Sequence, residues 1–483
     1  MYVKCDTVKK LQPVQLYVDS EMELRGAEEV ISVQAKARVD SVTPSAGAAD
    51  VAVSLDHAAI YLNEDGMTSA KDVSVRQVKL TAPFLSESSR VICSAGVVST
   101  EFVGTKKLRI RVMLEVSGVA IDTIGFENAD AAENLCVKRE SVGVISAGPI
   151  NGEFIAEGSE TAREAVDEIV FTESRVKFNN VSSATDITRI SGILYTYVRY
   201  ISGGKLSGAV LRIPFDEELL TPGVTEASKV FPVPVQINES VVASEEDGKT
   251  ELKAEAAVVV GGYYVNCDRA EVISDAYSKN KEIETEYARA EITDDVCSVS
   301  EKIKFFGSAE TDGAAMSIVS LGAPAICALG VTGGDPLVIE GVVGAEVISE
   351  DGDGRAVRNF VEVPFRTETS LDTACPYNVS VTASVEDYSA RLRQGGSLEI
   401  SGEIEAVVYS ETVREVRYLA SAKETRDKTP DDELVISLYV AGEGESLFDV
   451  AKALNSDEDE LRAMNPALEE PLEAGARILF YRM

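Results

Sequence analysis

From Leu438 to Tyr481 the chain reads LYVAGEGESLFDVAKALNSDEDELRAMNPALEEPLEAGARILFY. A short strand is expected at its start, followed by a glycine-containing turn and by Ser446, a good helix N-cap with Asp449 three residues later. The apolar residues of the next segment recur at i, i+3, i+4 and i+7, which is the spacing of one helix face: Leu447, Val450, Ala451 and Leu454. This stretch therefore predicts a helix that begins after Ser446.

A second helix and a closing strand follow in the same stretch. Ser456 is expected to cap a helix that carries Leu461 and Met464. Asn465-Pro466 ends that helix, because proline disfavours helical geometry in the residue before it. The alternation from Arg477 to Tyr481 predicts a strand. The expected order of elements is β-α-α-β.

This order and spacing resemble a LysM module, in the positions Tyr439-Val440, Gly444 to Leu447, Val450-Ala451, Asn465-Pro466 and Pro471-Leu472. LysM modules bind N-acetylglucosamine polymers such as peptidoglycan and chitin, in a shallow groove between the first turn and the loop before the second strand. The resemblance implies that eight residues form this groove here: Gly444, Glu445, Ser446, Leu447, Asn465, Pro466, Ala467 and Leu468. Several of them have a structural alternative: Ser446 as a helix cap, Leu447 as a core residue and Asn465-Pro466 as a helix stop.

The length of the chain predicts more than one domain. Its 483 residues exceed the size at which a single hydrophobic core is expected, so three or four domains are predicted. No run of eighteen or more apolar residues occurs, and the segment from Met1 to Leu24 is charged and interrupted by Pro13. Neither a transmembrane anchor nor a secretory signal is expected.

The cysteines and the net charge narrow the class of protein. Seven scattered cysteines with no C-x-x-C pair argue against a disulfide framework and against a zinc site, and favour a reducing cytosol. The 81 acidic residues outnumber the 46 Lys and Arg and give a net charge of -35, which argues against nucleic-acid binding. An acidic surface instead favours basic protein partners.

Upstream of the C-terminal stretch the chain repeats one pattern three times: a strand, a turn, a second strand ending in Pro-Phe, and later an alternating strand. The copies start at Val51, Ile190 and Val338, turn at Asp65-Gly66, Gly203-Gly204 and Asp351-Gly352, and reach Ala82-Pro83-Phe84, Ile213-Pro214-Phe215 and Val363-Pro364-Phe365. Such turns between alternating runs are hairpin signals, so each copy predicts a β-rich sandwich or small barrel. Val166, Ile169 and Val170 add a short helix to the second copy.

Tandem domains with these turns and Pro-Phe strand ends, followed by one LysM, resemble the SPOCS domains of SipL-like spore-coat morphogenetic proteins. Ile273 to Ser278 also resembles the segment that follows these domains in that family. The predicted fold is mainly β and multidomain, with three SPOCS-like repeats before a β-α-α-β LysM module. The predicted boundaries are 12–121, 150–264 and 297–409 for the repeats, 421–433 for a flexible linker without apolar periodicity, and 434–483 for the LysM.

The resemblance implies a non-enzymatic scaffold of spore-coat assembly in the mother-cell cytoplasm, recruited to the forespore surface. In that family the LysM is thought to contact the coat ATPase SpoIVA, and the linker would let the module reach such a partner independently. The module is acidic, with ten Asp or Glu against four Lys or Arg from Ser437 to Met483, which fits a basic protein surface. The alternative is a carbohydrate-binding protein of the cell or spore envelope whose LysM holds peptidoglycan.

The sequence offers little support for an enzyme. His57 is the only histidine, lies in an alternating strand and has no G-x-S-x-G motif to accompany it, which argues against a triad and against a histidine-rich metal site. The glycine pairs lack the following Lys-Ser/Thr of a phosphate-binding loop. No catalytic residue, cofactor or metal site is therefore predicted.

Overall fold

The computed structural model describes residues 2–129, 135–246, 249–311, 315–371, 377–393, 396–428 and 435–482. Within these residues the chain forms 22 strands and two short helices, arranged in several separate sheets. The prediction of a mainly β, multidomain protein is confirmed. Three successive β-rich units are followed by a small C-terminal module that contains both helices.

The strands of the three units have these bounds. Unit 1 comprises β1 (Tyr2–Glu23), β2 (Glu29–Ser45), β3 (Ala48–Asn63), β4 (Gly66–Thr81), β5 (Arg90–Val103) and β6 (Lys107–Glu127). Unit 2 comprises β7 (Leu135–Pro149), β8 (Gly152–Thr161), β9 (Glu168–Ala184), β10 (Ile187–Ser202), β11 (Lys205–Leu220), β12 (Lys229–Glu246) and β13 (Lys249–Ser278). Unit 3 comprises β14 (Lys281–Ala309), β15 (Ser317–Leu321), β16 (Ala325–Gly333), β17 (Leu337–Glu350), β18 (Ala356–Thr369), β19 (Tyr377–Leu392) and β20 (Leu398–Asp427).

Each unit contains two antiparallel sheets with the same strand order. In unit 1 the sheets are β2-β3-β4 and β1-β6-β5. In unit 2 they are β9-β10-β11 and β8-β13-β12. In unit 3 one sheet is β14-β20-β19, and in the other β17 pairs with β18 on one side and with β15 and β16 on the other. The reason is visible in β6, where every second residue from Leu108 to Val116 is buried and the residues between them are polar or more exposed. These side chains pack against Val51, Val53 and Leu55 of β3, so the core lies between the two sheets.

Long strands extend beyond the sandwiches and form three two-stranded ribbons. Ribbon 1 pairs residues 2–11 with 118–127, ribbon 2 pairs 135–149 with 263–278, and ribbon 3 pairs 281–297 with 410–427. Side chains from all three ribbons meet in one apolar cluster that includes Val3, Ile121, Val144, Val265, Ile292 and Val416. The ribbons therefore join the three units into one assembly.

The ribbons correct two predictions from the sequence. The predicted repeat boundaries at residues 121, 264, 297 and 409 fall inside β6, β13, β14 and β20, which run on without interruption. Ser421 to Asp427, predicted as the first half of a flexible linker, instead continue β20 and pair with β14. Residues 429–433 of that linker lie outside the described residues. The short helix expected around Val166 is also absent, since Glu168–Ala184 form β9.

The two Pro-Phe motifs of the second and third copies occupy equivalent places, as predicted. Phe215 and Phe365 are both buried, and each lies opposite a glycine of the central strand, Gly192 or Gly341. A Cβ atom on Gly341 would lie 2.5 Å from the Phe365 ring, so each glycine leaves room for the facing aromatic side chain. A small residue on one strand and a large one on its neighbour fill the same space.

The Pro-Phe motif of the first copy is not equivalent to the other two, and the prediction that it is was wrong. Phe84 lies in the turn after β4 and is 37% exposed, whereas the residue paired like Phe215 in unit 1 is Arg76, opposite Val53. The segment Ala82 to Leu85 corresponds instead to Thr221 to Val224 of unit 2. In each turn the amide of the fourth residue donates to the carbonyl of the first, at 3.0 and 3.2 Å.

The units contact one another in a closed cycle. Strand β3 of unit 1 contacts β9 of unit 2, β11 of unit 2 contacts β15 of unit 3, and β18 of unit 3 contacts β2 of unit 1. Each unit contributes a β-bulge residue at the same register, namely Ile31, Val170 and Val319, and all three pack in one cluster at the junction. The junction is therefore built from equivalent positions of three copies.

A buried ion network breaks the equivalence at this junction. The strand position next to the bulge is Ile60 in unit 1 and Ile348 in unit 3, but Arg199 in unit 2. The Arg199 side chain is 2% exposed, and its Nη1 lies 2.8 Å from Oε1 of Glu346, whose Oε2 binds Arg358. Burial alone would raise the pKa of Glu346, but Arg199 and Arg358 outweigh it and hold that pKa below 4.5.

Unit 1 completes the network with neutral groups. Gln34 Nε2 donates to Glu346 Oε1 at 2.6 Å, and Ser32 Oγ accepts from Arg199 Nη1 at 3.3 Å. Ser320 of unit 3 accepts from Arg199 Nε at 3.0 Å. The Glu346 carboxylate thus connects side chains of all three units, and it pairs with both Arg199 and Arg358.

We expect Gly341→Ala to destabilise the protein, because its Cβ would lie 2.4 Å from the Ala328 carbonyl oxygen and against the Phe365 ring. The expected loss is about 1–3 kcal/mol in free energy of unfolding, the usual cost of overpacking. Gly330→Ala on the adjacent strand is the matched control, since nothing lies within 4 Å of its added Cβ. Thermal unfolding measures both, and equal midpoints for the two variants would contradict the packing described.

We expect Glu346→Gln to cost about 3–5 kcal/mol, because it leaves the buried Arg199 and the partly buried Arg358 without a carboxylate. Glu218→Gln, in the exposed pair with Arg189, is the control and should cost about 1 kcal/mol or less. The pKa of folded Glu346 is depressed, so its contribution is complete above pH 4.5 and is lost as the pH falls through the lower folded value. The difference in melting temperature between wild type and Glu346→Gln should therefore shrink on acidification, and a constant difference would be evidence against the network.

Candidate functional site

The C-terminal module, residues 435–482, consists of β21 (Val435–Val440), α1 (Leu447–Leu454), α2 (Glu458–Met464) and β22 (Arg477–Arg482). Ser446 caps α1 as predicted, and the Asp449 carboxylate accepts a hydrogen bond from the Ser446 amide at 2.9 Å. The cap of α2 is Asp457, whose carboxylate accepts from the Asp459 amide, and not Ser456. Helix α2 ends at Met464, before Asn465-Pro466.

The module has a small core of its own. Strands β21 and β22 pair antiparallel, and Ile478 and Phe480 of β22 point inward. They pack with Leu447, Val450 and Leu461 of the two helices, all of which are 0–1% exposed. The helices therefore cover one face of the two-stranded sheet.

The eight residues predicted to form a groove are mostly engaged inside the module. Leu447 is buried in the core, Ser446 caps α1, and the Glu445 carboxylate accepts from the Tyr439 hydroxyl at 2.9 Å and from the Gly442 amide at 2.8 Å. Leu468 is half-buried and packs against the core, so a charged residue there would disturb the fold as well as any groove. The exposed members are Gly444, Pro466 and Ala467.

Two side chains tie the walls of this groove together. The Asn465 amide bridges to β22, accepting from the Leu479 amide and donating to the Leu479 carbonyl, both at 2.8 Å. The Glu470 carboxylate accepts from the Leu447 amide at 3.2 Å and also binds Arg462. Asn465 is thus a structural side chain here, and Glu470 spans from the loop before β22 to the first turn of α1.

The outer face of the two-stranded sheet is apolar and uncovered. Ile436 pairs with Tyr481 and Leu438 pairs with Leu479, and these four side chains are 44–66% exposed. Val440 extends the same face and is 56% exposed. We name these five residues the sheet face. Scattered exposed apolar residues are ordinary, but five contiguous ones on one small module make this face a candidate interaction surface.

The sheet face was missed in the sequence, although a signal was present. Strand β21 has the sequence VISLYV and β22 has RILFYR, so apolar residues occur in both phases of each strand. A strand that is covered on one side only should alternate, whereas apolar residues in both phases are typical of a strand covered on both sides. The helices cover one side, and the second side has no partner among the described residues.

The module does not hang free from the rest of the chain, in contrast to the independent reach expected for it. Tyr277 of ribbon 2 packs edge-on against Phe448 of α1, with ring centroids 5.2 Å apart, and its hydroxyl donates to the Ser456 carbonyl at 2.7 Å. Ion pairs flank this contact: Lys138 with Asp449 at 3.4 Å, Lys452 with Asp275 at 2.5 Å, and Lys279 with Asp457 at 3.4 Å. Ribbon 2 and α1 therefore form a defined interface.

The lysines at this interface lower the pKa values of the carboxylates that they face. Partial burial alone would raise the pKa of Asp275, but Lys452 and the Tyr287 hydroxyl outweigh it and lower that pKa. The pKa of Asp449 is lowered in the same way by Ser446 and Lys138, against the effect of burial. Three lysines and three carboxylates around one aromatic contact fix the orientation of α1 on the ribbon.

Other candidate chemistry is sparse in the described part of the chain. His57 is buried in β3, where its Nε2 lies 3.2 Å from the Ser74 hydroxyl and burial lowers its pKa. No group of three His, Cys, Asp or Glu side chains among the described residues is placed to hold a metal ion. Six cysteines are free thiols, and Cys375 lies outside the described residues. No helix in the described ranges combines the length and hydropathy that crossing a bilayer requires.

A scan against protein-family models, together with searches of curated proteins and of solved structures, found no match to this chain.

We expect Tyr277→Ala to release the C-terminal module from ribbon 2, because it removes both the ring contact with Phe448 and the hydrogen bond to Ser456. Small-angle scattering should then show a larger radius of gyration, and hydrogen exchange should be faster in α1. Tyr17→Ala is the control, since Tyr17 is 56% exposed in unit 1. An unchanged radius and unchanged exchange in the Tyr277 variant would show that this contact does not hold the module.

Proposed function

We propose that the protein is a non-enzymatic adaptor whose C-terminal module docks another protein through the sheet face. The observation that carries the proposal is the contiguous exposure of five apolar side chains on a module whose opposite side is already fixed to ribbon 2. Such a patch, held in place by a rigid neighbour, is what a protein–protein contact requires. Tyr481 and Leu479 are the residue types expected to anchor it.

The charge around the sheet face favours one kind of occupant. The only charged side chain paired into this face is that of Arg477, opposite Val440, whereas the module as a whole carries ten acidic and four basic residues. A second copy of this acidic chain would be repelled, given its net charge of -35. We therefore propose a partner with an apolar docking segment surrounded by basic residues.

The resemblance to SipL-like proteins gives this partner a candidate identity. A coat morphogenetic ATPase of the SpoIVA type, at the forespore surface of the mother cell, is the partner that the resemblance implies. The three units would then act as a scaffold that positions the docked module, in place of a flexible arm. This reading combines the SPOCS-like and LysM-like patterns in one role and needs no catalytic residue.

The alternative, a peptidoglycan-binding LysM, has less support. It depends on the groove between the first turn and the loop before β22, where Leu447 is buried and where Asn465 and Glu470 make contacts within the module. Sugar binding uses exposed polar groups and exposed rings, and the predicted groove offers mainly Gly444, Pro466 and Ala467. The sheet face has no role in this alternative, which gives the two functions different tests.

We expect Leu438→Asp and Leu479→Asp each to abolish capture of the purified coat ATPase, because each places a charge at the centre of an apolar contact. The module should remain folded, since the two side chains are 51% and 44% exposed. Val103→Asp, at a 75% exposed apolar residue of unit 1, is the matched control and should leave capture intact. A pull-down at two salt concentrations measures this, and the apolar part of the affinity should persist above about 0.1 M salt.

Two results would count against the adaptor. One is full capture of the ATPase by both sheet-face variants. The other is robust sedimentation of the wild-type protein with purified peptidoglycan, combined with failure to capture the ATPase. In that second case the glycan alternative would replace the adaptor.

A further inference from the structure

A cleft of about 410 Å³ lies in unit 1, away from the C-terminal module and independent of the function proposed for it. It is lined by two cations, Lys9 and Arg90, by the ring of Phe84 and by hydroxyl-bearing residues that include Thr7, Ser86 and Ser88. Its volume falls in the lower part of the range of small-molecule sites. The composition is unusual for a chain with a net charge of -35.

The two cations of this cleft lack ionic partners. Neither Lys9 nor Arg90 forms an ion pair with any of the described residues, whereas Arg111, Arg189 and Arg289 of the same chain each pair with a carboxylate. The Lys9 ammonium lies 5.0 Å from the centre of the Phe84 ring, over a side chain that is 37% exposed. The positive charges therefore remain available to a ligand.

One carboxylate, that of Asp122, lines the cleft, and that of Asp6 accepts from the hydroxyl of the lining residue Thr123 at 2.6 Å. Asp122 accepts a hydrogen bond from the Ser89 hydroxyl at 2.5 Å, inside the turn that forms the cleft wall. Glu411 of unit 3 is close enough for Lys9 to lower its pKa, although burial raises that pKa overall. More distant carboxylates are screened beyond about 8 Å at physiological salt. The lining of the cleft therefore carries two cations and one carboxylate, on a protein with a net charge of -35.

Unit 2 shows what the same place looks like when it is closed. The turns 86–89 and 225–228 are equivalent, since in each the first amide donates to the hydroxyl of the fourth residue, Ser89 or Ser228. By strand pairing, Lys9 and Ala120 of unit 1 correspond to Gly148 and Tyr264 of unit 2.

Tyr264 fills the corresponding place in unit 2 and donates from its hydroxyl to the Pro222 carbonyl at 3.0 Å. A Cβ on Gly223, the counterpart of Phe84, would lie 2.3 Å from that hydroxyl. Unit 1 has Ala120 in place of this large side chain, and it has the cation Lys9 and the exposed ring of Phe84 at the neighbouring positions. The cleft is therefore specific to unit 1 when the two copies are compared.

We propose that this cleft binds a small organic anion, through the charges of Lys9 and Arg90 and the hydroxyls of the 86–89 turn. The shared chemistry is an oxyanion, either a phosphate monoester or a carboxylate, joined to an apolar or flat group that rests on Phe84. Arginine and lysine together with hydroxyl donors suit both oxyanions. The exposed ring and the size of the cleft favour a ligand larger than a bare ion.

Calorimetric titration of the full chain tests this with phenyl phosphate and benzoate as probes, and with benzamide as the neutral analogue. Binding of at least one anion and no binding of benzamide at about 10 mM is expected. The stronger of the two anions identifies phosphate or carboxylate as the preferred group. Inorganic phosphate alone should bind more weakly than phenyl phosphate, because it leaves the ring of Phe84 unused.

Variants locate the binding. Lys9→Met and Arg90→Gln should each lower the affinity for the preferred anion roughly tenfold, as expected for loss of a charge-assisted hydrogen bond. Lys4→Met on the same strand and Arg25→Gln in a nearby turn are the matched controls, both exposed and neither lining the cleft, and they should change affinity less than about twofold.

A double variant, Lys9→Gly with Ala120→Tyr, imitates unit 2 and should remove binding by filling the cleft. Arg90 is exposed, so Arg90→Gln should fold normally even where a variant at Lys9 or Ala120 does not. Failure of both anions to bind wild type would overturn the proposal. Binding that Arg90→Gln and Lys9→Met leave unchanged would overturn it equally.

Discussion

Burial of the Glu346 carboxylate between Arg199 and Arg358 is the constraint around which the three units are arranged. A buried charge is tolerated only when it is paired and hydrogen-bonded, and here the partners come from all three units. Apolar packing at the same junction uses equivalent residues from each copy and would not by itself distinguish one order of units from another. We infer that the single arginine, at a position where the other copies have isoleucine, fixes which face of unit 2 meets unit 3.

The ribbons extend this fixed arrangement to the C-terminal module. Strands β6, β13 and β20 begin in the core of a sandwich and end in the shared ribbon cluster, so their directions are set at both places. Ribbon 2 then holds α1 through Tyr277 and three ion pairs. Because the helices are held on one side, the apolar outer side of β21 and β22 is presented to solvent at a defined position. The three units and the proposed docking surface are thus connected through ribbon 2.

Local chemistry explains which parts of this arrangement the sequence predicts. The start of α1 follows from Ser446 and Asp449 alone, and the duplicated Pro-Phe strands from their spacing. The ribbons could not be foreseen, since the partner of Lys281 is Asp427, far along the chain, and no local pattern encodes such a pairing. The groove stays a prediction, and spacing does not reveal that Asn465 and Glu470 bond within the module. The alignment of Phe84 failed because a two-residue motif recurs by chance more readily than a strand register does.

Differences between the copies are the most informative positions of this chain. Duplication places three versions of one backbone in a single molecule, so a departure at one position cannot be attributed to a different fold. Arg199 stands where two isoleucines stand, and its charge is used to join units. Ala120 stands where Tyr264 closes the equivalent space in unit 2, which leaves two unpaired cations beside an open cleft. At the junction the departure introduces a charge that is paired within the chain, and at the cleft it leaves open the space beside the two cations that we propose bind an anion.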